Sequence, residues 1–390
     1  MQETIKPKLI VVLGMHRAGT SAVTRGLEVL SVSLGNNLMP ANEDVNPKGF
    51  FEDLEVNALN IEMLSAMGSD WSRVSPISTS QLDFLRQHGF MQRAADLLRD
   101  KCRDVPVFGC KDPRMSKLLP FWNDVFDLLG YEIGFVLVLR NPLSVAKSLE
   151  KRDGLQASHS FYLWLTHMLE SLRGSQGRSR LVIDYDHLMQ SPAVQINRLA
   201  TALSLKVDET ALQSYTTDFL ENNLRHTTYK TEDLLTDPAC PALVKEVFDW
   251  LRQAACDEIN LDDPRLKKAC EAWWPEYERQ KITFELLDDQ LGHIERLEHE
   301  ISVREAQIAQ VNQKKSAQEA AIATLNQTVA DQRQTIIELT DQAAALEQQA
   351  LALQEDLTQV KETERQVFNS RSWRLTRPLR DVRGWISKRK

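Results

Sequence analysis

The chain has 390 residues, 42% of them hydrophobic and 26% charged, enough for two or three domains whose cores need no disulfides. No stretch approaches the roughly 18 consecutive apolar residues of a membrane-spanning helix, which excludes an integral membrane protein of that kind. The formal net charge of −8 argues against a nucleic-acid partner. The five cysteines (Cys102, Cys110, Cys240, Cys256 and Cys270) are odd in number, scattered and without metal-ligand spacing, so a reducing cytosol and no bound metal are expected.

In chain order, the apolar run Leu9–Leu13 follows an acidic residue and two lysines and reads as a first strand rather than a secretory signal. Next come helices over Ser21–Leu30 and Gln92–Arg103, strands over Val105–Cys110 and Ile133–Leu139, a helix over Pro142–Arg152 and a strand over Leu181–Ile183. Residues 190–280 read as mostly helical. Short continuous apolar strands of this kind suit a parallel sheet buried on both faces.

The first strand runs into Gly14-Met15-His16-Arg17-Ala18-Gly19-Thr20-Ser21 and then an amphipathic helix. Glycines at both ends let the turn bend tightly and point several N–H groups at one anion, and the helix N-terminus adds its positive end. Thr20 occupies the place of the lysine that a nucleotide-triphosphatase loop would carry, which disfavours ordinary ATP hydrolysis. Arg17 supplies a cation from inside the loop instead. Further on, the strand ending at Leu139 is followed by Arg140-Asn141-Pro142, with proline at the first helical position. Arg140 then falls at the carboxyl end of a strand, where doubly wound sheets bind ligands, and Ser148 lies about two turns along the next helix.

Over roughly residues 8–230 these two motifs resemble the sulfotransferases that use 3′-phosphoadenosine 5′-phosphosulfate, and the form GMHRAGTS is similar to a bacterial branch with arginine in place of lysine. The resemblance implies that Gly14, Arg17, Ala18, Gly19, Thr20 and Ser21 bind the donor's 5′-phosphosulfate, and that Arg140 and Ser148 contact its 3′-phosphate. Lys111 and Arg114, in the strand-to-helix turn Cys110-Lys111-Asp112-Pro113-Arg114, would face the sulfuryl group or an anionic acceptor. Leu224-Arg225-His226 falls where bacterial members carry a basic pair near the nucleotide, which adds Arg225. The segment Tyr185-Asp186-His187-Leu188 looks like the family's structural turn after a strand.

Sulfuryl transfer also needs a base for the acceptor hydroxyl. Glu43, Asp44, Glu52, Asp53 and Glu55 follow the first helix, and Glu52 is the preferred candidate because the preceding turn, Asn46 to Phe51, brings aromatics that would wall it and raise its pKa. His16 is the second. Arg17, Glu52 and His16 thus make up the expected catalytic set.

From His293 to Arg377 there is neither Gly nor Pro. Apolar residues recur there at heptad spacing: Ile294, Ile301, Ile308, Ile322, Val329, Ile336 and Leu357 at a positions, and Leu297, Val311, Leu325, Leu339, Leu346, Leu353 and Val360 at d positions. Counting Ala343 and Ala350, sixteen of twenty seam positions are apolar, which predicts a coiled coil roughly 100 Å long. Ile early in the a series with Leu in the d series favours parallel dimers, while Lys315, Arg304, Gln318 and Gln332 weaken the seam and set its register. The end, Ser370-Arg371-Ser372-Trp373-Arg374-Leu375-Thr376-Arg377-Pro378-Leu379-Arg380, resembles a short tail on bacterial glycosyltransferases and other enzymes of surface-polysaccharide assembly. Residues 371–390 hold eight Lys/Arg against one Asp, a basic amphipathic terminus suited to an anionic membrane face.

The expected architecture is therefore α/β, with a central parallel sheet flanked by helices in a P-loop nucleoside triphosphate hydrolase-like sulfotransferase core (1–282), then a long α-helical coiled coil (283–367) and a basic amphipathic tail (368–390). The expected function is transfer of a sulfuryl group from 3′-phosphoadenosine 5′-phosphosulfate to a hydroxyl acceptor, a saccharide of a surface polysaccharide or glycolipid. Self-association through 286–367 and peripheral membrane contact through 371–390, at the inner face from the cytoplasm, complete the expectation. Two readings compete: a coiled-coil scaffold whose degenerate nucleotide domain only binds, and a P-loop kinase.

Overall fold

The computed structural model describes residues 7–42, 46–220 and 229–380. Its elements, in order, are β1 (Lys8–Leu13), α1 (Thr20–Leu27), α2 (Leu54–Ala66), α3 (Thr79–Gln87), α4 (Phe90–Lys101), β2 (Val107–Lys111), α5 (Met115–Leu129), β3 (Glu132–Leu139), α6 (Pro142–Asp153), α7 (Ala157–Gly174) and β4 (Ser179–Asp184). Then follow α8 (Tyr185–Gln190), α9 (Pro192–Leu203), α10 (Glu209–Ser214), α11 (Thr231–Thr236), α12 (Ala242–Ala255), α13 (Pro264–Arg279), α14 (Lys281–Asn369) and α15 (Arg371–Leu375). The chain divides into two compact units, Met1–Ile294 and Glu295–Lys390.

In the first unit the four strands form one parallel sheet in the order β2-β1-β3-β4. Alternation of side chains along each strand splits the core in two. Leu9, Val11 and Leu13 share one face with Phe135, Leu137 and Leu139, against Trp122, Phe126 and Trp164. Ile10 and Val12 share the other with Val136 and Val138, against Leu27, Ile196, Leu199 and Tyr215. Burial on both sides explains why these strands read as unbroken apolar runs. After β1 the chain adds β2 on one side, then returns to place β3 on the other, so the sheet's switch point lies between the carboxyl ends of β1 and β3.

Local signals start the helices around that point. Asn141 caps α6, its side chain accepting from Leu143 N at 2.9 Å, with Pro142 in the first turn. Asp53 caps α2, accepting from the amides of Glu55 and Val56, so Glu52 lies just before the helix rather than in its acidic first turn. Where α10 ends, Tyr215–Phe219 form one π-helical turn, and the Tyr215 hydroxyl donates to Ala22 O at 2.8 Å. The first turns of α14 belong to this unit too. Phe284 is fully buried, its ring 5.2 Å from that of Tyr162 and 5.4 Å from that of Tyr277.

In the second unit α14 continues without a break to Asn369. The seam residues stand exposed in the single chain, from 44% at Leu297 to 68% at Leu353. Ser370 caps α15 through Trp373 N, and the Arg380 guanidinium lies 3.5 Å from the Trp373 ring centre. Among the described residues no helix is long and apolar enough to cross a membrane.

Candidate functional site

The loop between β1 and α1 is built on three residues of positive φ, two of them glycines. Arg17 takes φ 66° and Gly19 φ 88°, while Gly14 adopts φ 149°. A side chain at Gly19 is impossible without rearrangement, because a Cβ there would stand 2.1 Å from Tyr185 Cδ2. At Gly14 a Cβ would meet Val138 O at 3.0 Å. Gly14 N donates to the buried Ser116 Oγ at 3.0 Å, fixing the start of the loop, and Gly19 is the N-cap of α1. Ala18 and Thr20 are buried.

Arg17 and the second motif meet across the switch point. Arg17 Nε donates to Ser148 Oγ at 2.8 Å, 131 residues away, and Arg140 Nη1 donates to Arg17 O at 2.8 Å. Arg140 is itself buried, its guanidinium 4.8 Å from the Tyr185 ring centre. Burial, with Arg152 and Arg140 nearby, lowers the pKa of Arg17.

A cavity of about 360 Å³ opens beside this pair. Among the described residues its lining carries six cationic side chains (Arg17, Lys48, Lys111, Arg114, Arg140 and Arg152) and two carboxylates, Glu52 and Asp153. Such an excess of positive charge in a partly enclosed space attracts polyanions. Gly19, Thr20, Ser21 and His16 line it as well.

Glu52 is buried, and its surroundings differ from the apolar wall expected. Lys111 Nζ donates to Glu52 Oε1 at 2.6 Å and to Phe50 O at 2.9 Å. Asn57 Nδ2 donates to Glu52 Oε2 at 2.9 Å, and Arg114 Nη1 stands 3.8 Å from the same oxygen. The turn does bring Phe50 to the same cavity, but the carboxylate of Glu52 is held in a polar lattice that Asn57 joins to the buried Asp112. The Asp112 carboxylate accepts from Asn60 Nδ2 at 3.0 Å and from Arg114 Nη1 at 3.0 Å, and Asn60 Oδ1 in turn accepts from Trp122 Nε1 at 2.9 Å. Ser21 Oγ, donating to Phe50 O at 3.1 Å, ties the end of the phosphate-loop motif to the same turn.

His16 sits with its ring 4.8 Å from Trp71 and 6.4 Å from His167. Its Nε2 is buried with no hydrogen-bond partner. Burial, then Arg114, Arg152, His167 and Lys111, pushes its pKa well below the usual imidazole value, so the ring is neutral at physiological pH.

Of the expected residues, His16, Arg17, Gly19, Thr20, Ser21, Glu52, Lys111, Arg114 and Arg140 line this one cavity, Ser148 joins them through its bond to Arg17, and Gly14 and the buried Ala18 lie in the same loop without lining it. Arg225, Glu43 and Asp44 lie outside the described residues. Asp53 and Glu55 pair with Lys101 instead. Sequence reading missed Trp71, Arg152 and Phe219 and took Tyr185 as a turn residue only, whereas all four line the cavity. Arg152 follows Ser148 by four residues on α6, so helical spacing alone places both on one face. Trp71 and Phe219 carry no local signal.

No family model matches the sequence, and no curated relative does. Among solved structures, the chain is similar to the sulfotransferase domain of the Synechococcus PCC 7002 olefin synthase at 16% identity, covering 64% of this chain and 96% of that one, with a TM-score of 0.37. The sulfotransferase domain from the curacin biosynthetic pathway matches at 15% identity over 64% of this chain and 91% of that one, with a TM-score of 0.34. Retinol dehydratase, solved with androsterone and the inactive cofactor PAP, matches at 14% identity over 69% and 80%, with a TM-score of 0.29.

Proposed function

We propose that the protein transfers a sulfuryl group from 3′-phosphoadenosine 5′-phosphosulfate to a hydroxyl of a saccharide acceptor. The observation that carries this reading is the junction of Arg17, Ser148 and Arg140, which joins the two motifs at the sheet's switch point beside a cavity lined, among the described residues, by six cations. The fit to such a donor rests on the cationic lining of the cavity beside a loop that Gly14 and Gly19 let pack tightly against Val138 and Tyr185, where no Cβ has room.

When bound, the donor supplies an activated sulfur whose bond to a 5′-phosphate oxygen breaks as a bond to the acceptor oxygen forms. The residues of this chain do the rest. Loop amides and the N-terminus of α1 hold the 5′-phosphate, and Arg17 offsets the charge that grows there on departure. Arg140 and Ser148 hold the 3′-phosphate, with Arg140 kept in place by Arg17 O. Glu52 accepts the proton of the acceptor hydroxyl. Lys111 and Arg114 orient its two oxygens, and His16 is the alternative acceptor of that proton.

The exposed heptad seam of α14 supports self-association through 286–367. The basic residues of 371–390 support peripheral contact with an anionic membrane at its cytoplasmic face. An enzyme placed there would act on surface-polysaccharide or glycolipid intermediates. The test is transfer of labelled sulfate from the donor to lipid-linked sugars and polysaccharide fragments, with stoichiometric release of 3′-phosphoadenosine 5′-phosphate. Nucleotide binding without transfer to any of them would favour the scaffold reading, and ATP turnover the kinase.

A further inference from the structure

Trp71 belongs to an irregular loop between α2 and α3, yet this loop is held as firmly as a core element. Its backbone groups go to side chains from distant helices, one after another. Ser72 O meets His159 Nε2 of α7 at 2.7 Å. Arg73 O accepts from Lys117 Nζ of α5 at 2.5 Å, and Val74 O accepts from Thr166 Oγ1 of α7 at 2.9 Å. The hydroxyl of Thr166 accepts in turn from Tyr277 Oη of α13 at 2.9 Å. The amides of Val74 and Ser75 both donate to the carboxylate of Asp288, at 2.7 and 2.9 Å. Loops ordinarily leave such groups to water; here α5, α7 and the start of α14 claim them.

We propose that Asp288 is a positioning residue that acts on the site through Trp71. Asp288 lies one helical turn after the buried Phe284, so the first turns of α14, within the first unit, bury an aromatic and grip the loop with a carboxylate on the same face. A carboxylate taking two successive amides fixes both position and orientation of the backbone, more strongly than neutral acceptors would. The indole three residues before this clamp lines the cavity beside His16 and under the Arg152 guanidinium, whose carbon is 5.1 Å from the ring centre. Arg17, Arg140, Ser148 and the loop amides are taken by the donor's phosphates in the sulfuryl-transfer reading, on which this inference rests. Trp71 and His16 then form the wall met by the acceptor, and an indole there suits the apolar face of a ring-shaped substrate.

The reaction run in reverse gives an acceptor-side probe. Sulfuryl passes from the phenolic oxygen of 4-nitrophenyl sulfate to the 5′-phosphate oxygen of 3′-phosphoadenosine 5′-phosphate, and 4-nitrophenolate leaves. In the full-length protein, Asp288→Ala should raise KM for 4-nitrophenyl sulfate about fivefold to tenfold, as Trp71→Ala does, while nucleotide Kd stays within about twofold. Asp288→Asn keeps one acceptor oxygen and should recover most of the loss. The double variant Trp71→Ala/Asp288→Ala should be no worse in KM than Trp71→Ala alone, because the two act on one element. A lowered melting temperature with unchanged KM, or fully additive losses, would overturn the assignment. If the wild-type chain binds no 3′-phosphoadenosine 5′-phosphate, the sulfuryl-transfer reading fails by itself, and iodide quenching decides the brace. The Trp71 contribution, taken as wild type minus Trp71→Phe, must become more accessible in Asp288→Ala; no change contradicts the proposal.

Discussion

Arg17 and Ser148 share a 2.8 Å hydrogen bond across 131 residues of sequence, which joins the loop after β1 to α6. Ser148 holds the guanidinium by Nε, which leaves the rest of the planar group directed by α6 rather than free to sample rotamers. Ser148→Ala should therefore reduce affinity for 3′-phosphoadenosine 5′-phosphate about tenfold, the effect of one hydrogen bond to a charged group. Titration calorimetry of the variant, with unchanged melting temperature as the control, checks it.

Gly19 offers a test that depends on shape rather than charge. A methyl at this position would overlap the Tyr185 ring in a backbone conformation that L-residues rarely adopt. Gly19→Ala should cost about 2 kcal/mol or more of stability and abolish measurable nucleotide binding. Thermal unfolding and calorimetry on the same preparation would show both losses together; a variant of native stability and native affinity would mean the loop is not packed as described.

Glu52 presents two roles that one substitution mixes. Glu52→Gln should lower turnover roughly 10²–10⁴-fold with donor affinity kept. It also leaves the buried Lys111 without its counter-charge, and breaking a buried pair costs about 3–5 kcal/mol. Adding Lys111→Met should restore stability without restoring turnover. If turnover returns with stability, Glu52 is structural and the proton goes elsewhere, to His16 first.

Lys117 carries a pH signature. It is buried, and desolvation pulls its pKa from the usual lysine value down to about 8, against the opposing pull of Asp288, Asp70 and Glu170; the Arg73 guanidinium adds to the lowering. Below pH 8 both folded and unfolded chains hold the proton, and the folded state bears the full penalty, about 3 kcal/mol. Between pH 8 and roughly 10.4 the unfolded chain binds more protons, so this group makes stability rise with pH. Urea unfolding of wild type and Lys117→Met at pH 7, 8.5 and 10 should show the wild type gaining on the variant across that window. A difference that stays flat with pH would contradict the assignment.

The long helix should assemble the chain. Full-length protein should sediment as an oligomer, and deletion of residues 295–367, which spares Phe284 and Asp288, should yield a monomer that still binds nucleotide. Removing 371–390 should leave the oligomer intact and release it from anionic vesicles, with attraction falling as salt rises. Vesicle co-pelleting at two ionic strengths measures this.

How far sequence alone reaches is plain from particular residues. Leu9–Leu13 and Ile133–Leu139 are legible because both faces of their sheet are buried, so every position must be apolar. Arg17, Arg140 and Ser148 are legible because each stands at a fixed offset from a strand end. The heptads of α14 are read directly from spacing. The polar lattice of Glu52, Asn57, Asn60, Asp112 and Trp122 is not, since its hydrogen bonds join residues 5 to 62 positions apart with no periodic pattern. For the same reason Glu52 was expected beside aromatics and is found among cations. Lys117 and Asp288 look like ordinary helix-surface charges until folding brings them to one loop.

The central claim is that Arg140, with Ser148 and Arg17, reads the 3′-phosphate of the donor. Calorimetric titration of wild type and Arg140→Ala with 3′-phosphoadenosine 5′-phosphate and with 5′-AMP tests it most directly. The wild type should prefer the bisphosphate, and Arg140→Ala should weaken that ligand by about 1.5–3 kcal/mol while leaving 5′-AMP nearly unchanged. Equal losses for both nucleotides, or no preference in the wild type, would contradict it.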